Sequence, residues 1–170
     1  TNIFIGVLLF MIGWFHVIDL GSSDLLVMVN SMIPYILCFT SVSLMTNIPD
    51  MEGDVSVNAI TFPVKFGRRI TSILGLLLVF LAFYLSYYNN EDPIASTAAL
   101  CSIPFFIFAV SRDLDKDILR AIRYPIFLLN FFLFAIYPWL IPAIFIIYYL
   151  SKYYYWHRFN LHYPTFLVDD

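Results

Sequence analysis

Residues 70–88 read ITSILGLLLVFLAFYLSYY, nineteen positions without a charged side chain. As an α-helix such a run rises about 28 Å at roughly 1.5 Å per residue. That is close to the ~30 Å hydrocarbon core of a bilayer. The run is continuously apolar and lacks the period-two alternation of a membrane barrel strand. It therefore predicts a transmembrane helix. Similar runs lie on both sides, at Asn2–Ile18 and Leu25–Thr46 upstream and at Ile94–Val110, Ala121–Tyr137 and Trp139–Trp156 downstream. The expected fold is all-α: one polytopic transmembrane helical bundle in a single domain, with spans at 2–18, 25–46, 70–88, 94–110, 121–137 and 139–156.

Composition agrees. Hydrophobic residues make up 61% of the 170-residue chain and charged residues 12%, against about 25% charged in a soluble domain. The remaining polar surface is too small to keep a core in water, so lipid must cover much of the rest. The net charge is −3, and no basic patch with interleaved aromatics lies outside the membrane interfaces, so no nucleic-acid partner is expected. Cys38 and Cys101 sit inside apolar runs without metal or redox spacing and read as packing residues.

Turn signals separate the runs: Asp19–Asp24, Asn89–Pro93, the charged connection 112–120 (RDLDKDILR), and Tyr137-Pro138-Trp139. The last leaves two readings open, a tight interfacial turn between two helices or one kinked helix. With six spans, all nine Lys and Arg residues fall on one side. They occupy the 47–69 loop, the 112–123 connection and the C-terminal end, whereas the opposite turns carry Asp19, Asp24, Glu91 and Asp92. Cytoplasmic loops are enriched in Lys and Arg, so loop 47–69 is predicted to face the cytoplasm, in an integral protein of the inner cell membrane. The tail from Lys152 to Arg158 reads as an aromatic belt with basic anchors. The chain starts at Thr1 and enters an apolar helix without a basic leader or a cleavage site, which is not a signal peptide. The simplest reading is the C-terminal portion of a longer protein.

The polar interest concentrates in residues 46–69, TNIPDMEGDVSVNAITFPVKFGRR. Ile48 precedes Pro49 and is biased away from helix, while Pro49 can open a helical turn. If 50–54 is helical, Asp50 and Asp54 share a face with β-carbons roughly 5–6 Å apart. Two carboxylates that close want a cation between them. Magnesium, held by one or two carboxylates plus phosphate and water, fits. Glu52 points elsewhere on such a turn. Lys65, Arg68 and Arg69 are suited to phosphate. Spacing alone leaves a second reading open, a solvated loop that follows the positive-inside bias.

The segment Ile48-Pro49-Asp50-Met51-Glu52-Gly53-Asp54, followed by Thr61-Phe62-Pro63-Val64-Lys65-Phe66-Gly67, resembles the second aspartate-rich motif of the UbiA superfamily of intramembrane prenyltransferases. The resemblance is specific over some twenty residues and extends loosely over most of the chain. It implies a helical bundle, commonly of nine spans, whose two aspartate-rich motifs bind Mg2+ and the diphosphate of a polyprenyl donor. The prenyl chain is passed to a lipophilic, usually aromatic, acceptor such as a quinone precursor. By position, Asp50 and Asp54 would be metal ligands, and Lys65 and Arg68 would contact diphosphate. Asn47 stands where many relatives carry a further acid, and its amide oxygen could contact metal or water. The first motif is absent, which the resemblance explains by truncation, with activity expected only alongside the missing N-terminal half. Six spans exceed the second half of a nine-helix relative, so either 121–156 holds an extra helix or the split at Pro138 is wrong.

Two other classes fit less well. Alcohol phosphatidyltransferases carry Asp-Gly with further spaced acids and an Arg, whereas here Gly53 precedes Asp54 and Val55 follows it. A transporter calls for ionisable groups inside spans, and His16 and Asn130 are among the few strongly polar residues there.

Overall fold

A computed structural model describes residues 2–17, 25–90 and 93–162. Every regular element among them is helical: α1 Asn2–Val17, α2 Leu25–Thr46, α3 Met51–Ser56, α4 Phe62–Phe66, α5 Arg68–Leu85, α6 Pro93–Arg112, α7 Asp115–Ile136 and α8 Leu140–Phe159. The end of α5 widens into a π turn over Ser86–Asn90. Among the described residues, four helices are long and apolar enough to cross a membrane: 25–46, 68–88, 93–112 and 115–136. In α1 the apolar stretch, Gly6–Phe15, is shorter. In α8 the apolar first half gives way to a Tyr-rich half carrying Lys152 and Arg158. The expected acidic turns, with Asp19, Asp24, Glu91 and Asp92, lie outside the described residues.

Two boundaries differ from the sequence expectation. Helix α5 begins at Arg68 and α7 at Asp115, so residues 115–120 of the charged connection are helix. Charge excludes residues from hydrocarbon, not from a helix. Asp115 and Asp117 in the first turn of α7 complement the positive end of the helix dipole. Between 121 and 156 the chain forms two helices. Tyr137, which precedes Pro138, leaves helical geometry at φ −122°, ψ 72°, as a pre-proline residue is pushed to do.

The bundle is built by α2 on α5, α5 on α6 and α6 on α7, with α1 against α2 and α2 reaching across to α7; α8 is joined mainly through α7. At its centre Met45, Val79, Ala99, Ile103, Phe106, Ala109, Ile118 and Ala121 are buried together. Gly75 allows the close approach of three helices. A Cβ there would sit 3.2 Å from the Met45 sulfur and 3.4 Å from Cε1 of Phe106. Beside it, the buried Ser41 hydroxyl of α2 donates to the Gly75 carbonyl of α5 at 2.7 Å. Phe105 of α6 meets Tyr124 of α7 edge-on, with ring centroids 4.8 Å apart. Large apolar side chains such as Leu77, Leu81, Leu100, Ile107 and Phe131 are exposed, as lipid-facing residues of a membrane bundle are.

Candidate functional site

The last turn of α2 runs into a tight turn at 47–50, where the amides of Asn47 and Ile48 donate back to Leu44 and Met45. Ile48 is buried in the core cluster and anchors this turn to the bundle. Asp50 then caps α3. The amide of Asp54 donates to the Asp50 carbonyl at 2.9 Å, so the two aspartates stand one helical turn apart. Asp50 is exposed and Asp54 half-buried.

The two carboxylates differ in their support. Thr61 donates its hydroxyl to Oδ2 of Asp54 at 2.9 Å, and the Ala59 amide donates to the Asp54 carbonyl at 2.8 Å. Asp50 makes no side-chain capping bond and is exposed. Asn47 is half-buried in the turn that precedes them. Glu52 is exposed on α3. Among the described residues no group of three or more acid, His or Cys side chains converges as a metal cage. Two carboxylates one turn apart fit magnesium, which usually completes its octahedron with phosphate and water.

Downstream, Pro63 is buried at the start of α4, and Gly67 turns the corner into α5 at φ 87°, ψ 159°, a region essentially open to glycine alone. Lys65 and Arg69 are exposed, and Lys65 lies 5.3 Å from the Phe66 ring centroid. Arg68 is committed elsewhere: its guanidinium pairs with Asp113 and Asp115 at the α6–α7 turn. Asn47, Asp50, Asp54 and Lys65 thus lie on one short segment, and Arg68 at its end is tied to a different connection.

Several partners were not legible as such. Thr61 belongs to the motif, but its bond to Asp54 depends on a loop closing across seven residues. Asp113 and Asp115 lie 45 and 47 positions from Arg68. Asp117, 1% exposed in the first turn of α7, accepts from Arg120 at 2.9 Å, and its Oδ2 has no hydrogen-bond partner among the described residues. Their i, i+3 spacing was a readable signal. Asn130 satisfies its amide within α7 by donating to the Ile126 carbonyl at 2.8 Å, and the His16 side chain lies outside the described residues.

A cavity of about 600 Å³ opens among α1, α2, α5, α6 and α7. Its lining is almost wholly apolar. Ala95, Ala98, Ala99 and Ser102 form one wall, at i, i+3, i+4 and i+7 of a single α6 face. Ser43 and Thr46 line it from the last turn of α2, immediately before Asn47.

The family model described as the UbiA prenyltransferase family matches residues 1–136. The match ends at the last residue of α7, so α8 lies beyond it. No curated protein and no solved structure matches the chain.

Proposed function

The chain belongs to the UbiA prenyltransferase family, and from that premise we propose that it moves a prenyl group from a polyprenyl diphosphate to a lipophilic aromatic acceptor of the quinone-precursor type, with Mg2+ at Asp50 and Asp54. One observation carries the reading. The apolar cavity reaches Ser43 and Thr46 on the last turn of α2, and Asn47 and Asp50 follow within four residues. An apolar pocket whose lining ends at Thr46, one turn before a carboxylate pair, suits a substrate with a greasy tail and a charged diphosphate head.

Magnesium bound there would neutralise the diphosphate as it leaves with the electron pair of the allylic carbon–oxygen bond. The chain's own residues divide the remaining work. Thr61 orients Asp54, Asn47 offers an amide beside the carboxylates, and Lys65 places an ammonium where the diphosphate charge accumulates. The apolar cavity keeps water from the allylic carbon, so the acceptor carbon forms the new bond and then loses its proton.

The clustering of Lys65, Arg68, Arg69, Arg112 and Lys116 at the same end of the bundle supports a cytoplasmic face for this site, in the inner cell membrane.

The test is diphosphate release from membranes carrying the intact protein. We expect release that needs both Mg2+ and a prenyl diphosphate and is accompanied by alkylation of an aromatic acceptor. Absence of release across short and long donors, in protein shown to be folded, would reject the reading.

A further inference from the structure

Arg68 opens α5 one residue after the Gly67 corner, and each of its three guanidinium nitrogens donates to the α6–α7 turn. Nε donates to Oδ1 of Asp113 at 2.6 Å, Nη1 to Oδ1 of Asp115 at 2.5 Å, and Nη2 to the Asp113 carbonyl at 2.8 Å. Asp113 offers that carbonyl from a left-handed backbone at φ 52°, a conformation that Asp tolerates better than most residues. A guanidinium held in a fork by two carboxylates and a carbonyl is fixed in direction as well as in charge. Its positive charge faces two negative ones, so little is left to attract a diphosphate. Lys65 and Arg69 pair with no carboxylate in the described residues and remain available for that purpose.

A run of bonds connects this fork to the carboxylate pair. Thr61 holds Asp54 through its hydroxyl, the Lys65 amide donates to the Thr61 carbonyl at 3.0 Å, and the Gly67 amide donates to the Pro63 carbonyl at 2.8 Å. Arg68 follows directly. The segment is otherwise seated on the bundle by two small buried anchors, Ile48 and Pro63, because the side chains of α3 are not buried.

We propose that Arg68 is a positioning residue. It clamps the segment bearing Asp50, Asp54 and Lys65 to the α6–α7 turn and does not itself bind diphosphate. The functional consequence rests on the prenyltransferase reading, whereas the clamp does not.

The two roles predict opposite signs. If Arg68 were a diphosphate ligand held back by Asp113 and Asp115, the double variant Asp113→Asn/Asp115→Asn would free it and lower KM for the prenyl diphosphate. As a clamp, its loss in that variant raises KM for the donor or the Mg2+ half-saturation by about three- to tenfold, the scale of a partly exposed ion-pair network. Arg68→Gln then gives the same shift, and the triple variant is no worse than either, as expected when one interaction is removed twice. A second readout needs no substrate: hydrogen exchange of the amides of residues 51–66 in the intact protein quickens by a similar factor in each variant. A lowered KM in Asp113→Asn/Asp115→Asn, or exchange in 51–66 unchanged from the parent, overturns the clamp. If the parent protein releases no diphosphate at all, the prenyltransferase reading fails, and the exchange measurement still decides the clamp.

Discussion

The hydroxyl of Thr61 donates to Oδ2 of Asp54 at 2.9 Å, across a loop of seven residues. Asp54 therefore reaches its ligand with one oxygen already directed, while Asp50, one turn earlier, makes no capping bond. A hydrogen bond to a charged group contributes about 1.5–3 kcal/mol, and a partner behind a metal ligand typically matters 10–100-fold in metal affinity.

Thr61→Val accordingly raises the Mg2+ half-saturation of diphosphate release by about tenfold, while Thr61→Ser stays near the parent. Magnesium titration of both variants at saturating donor checks this. Equal losses in Ser and Val would point to the methyl group, not the hydroxyl.

Gly75 carries the packing of α2, α5 and α6. A Cβ there meets the Met45 sulfur at 3.2 Å and Phe106 at 3.4 Å. The flexible Met45 can yield to one methyl group, so Gly75→Ala is expected to be mild. Gly75→Leu should destabilise by about 1–3 kcal/mol, the usual cost of overpacking. It also disturbs the Ser41 bond to the Gly75 carbonyl. Thermal unfolding in detergent reads the difference: Gly75→Leu melts clearly below Gly75→Ala.

The alanine face of α6 keeps the cavity open. Ala99, 2% exposed, lies on that wall beside Ala95 and Ala98. Ala99→Phe projects a ring into a cavity of about 600 Å³. The expected outcome is a kcat/KM for prenyl diphosphate lowered by more than about tenfold, a loss of 1.4 kcal/mol or more, with Mg2+ half-saturation little changed. Parallel kinetics on Ala99→Phe and Thr61→Val separate tail binding from metal binding.

The helical runs were legible because lipid demands long uncharged stretches, as in residues 70–88. Their ends were less so, since Arg68 and the Asp115–Arg120 turn are charged yet helical. The aspartate pair could be read because its spacing is local to one turn, with Pro49 marking where the turn opens. The fork from Arg68 to Asp113 and Asp115 could not, because only the packing of α5, α6 and α7 brings positions 45 and 47 residues apart together. The same holds for the cavity: Ala95, Ala98 and Ala99 read as ordinary helix until α1, α2, α5 and α7 supply the facing walls.

The central claim is that Asp50 and Asp54 hold the magnesium of a prenyl transfer. The most direct measurement is Mg2+-dependent diphosphate release by Asp50→Ala and Asp54→Ala in the intact protein, each shown to be folded by its melting temperature. Removing a carboxylate ligand forfeits several kcal/mol of charge stabilisation in the transition state, about a hundredfold or more in rate. Both variants should therefore lose turnover by at least that factor while melting near the parent, since Asp50 is exposed and Asp54 only half-buried. Near-normal release in both would contradict the account and leave the acidic segment as a solvated loop.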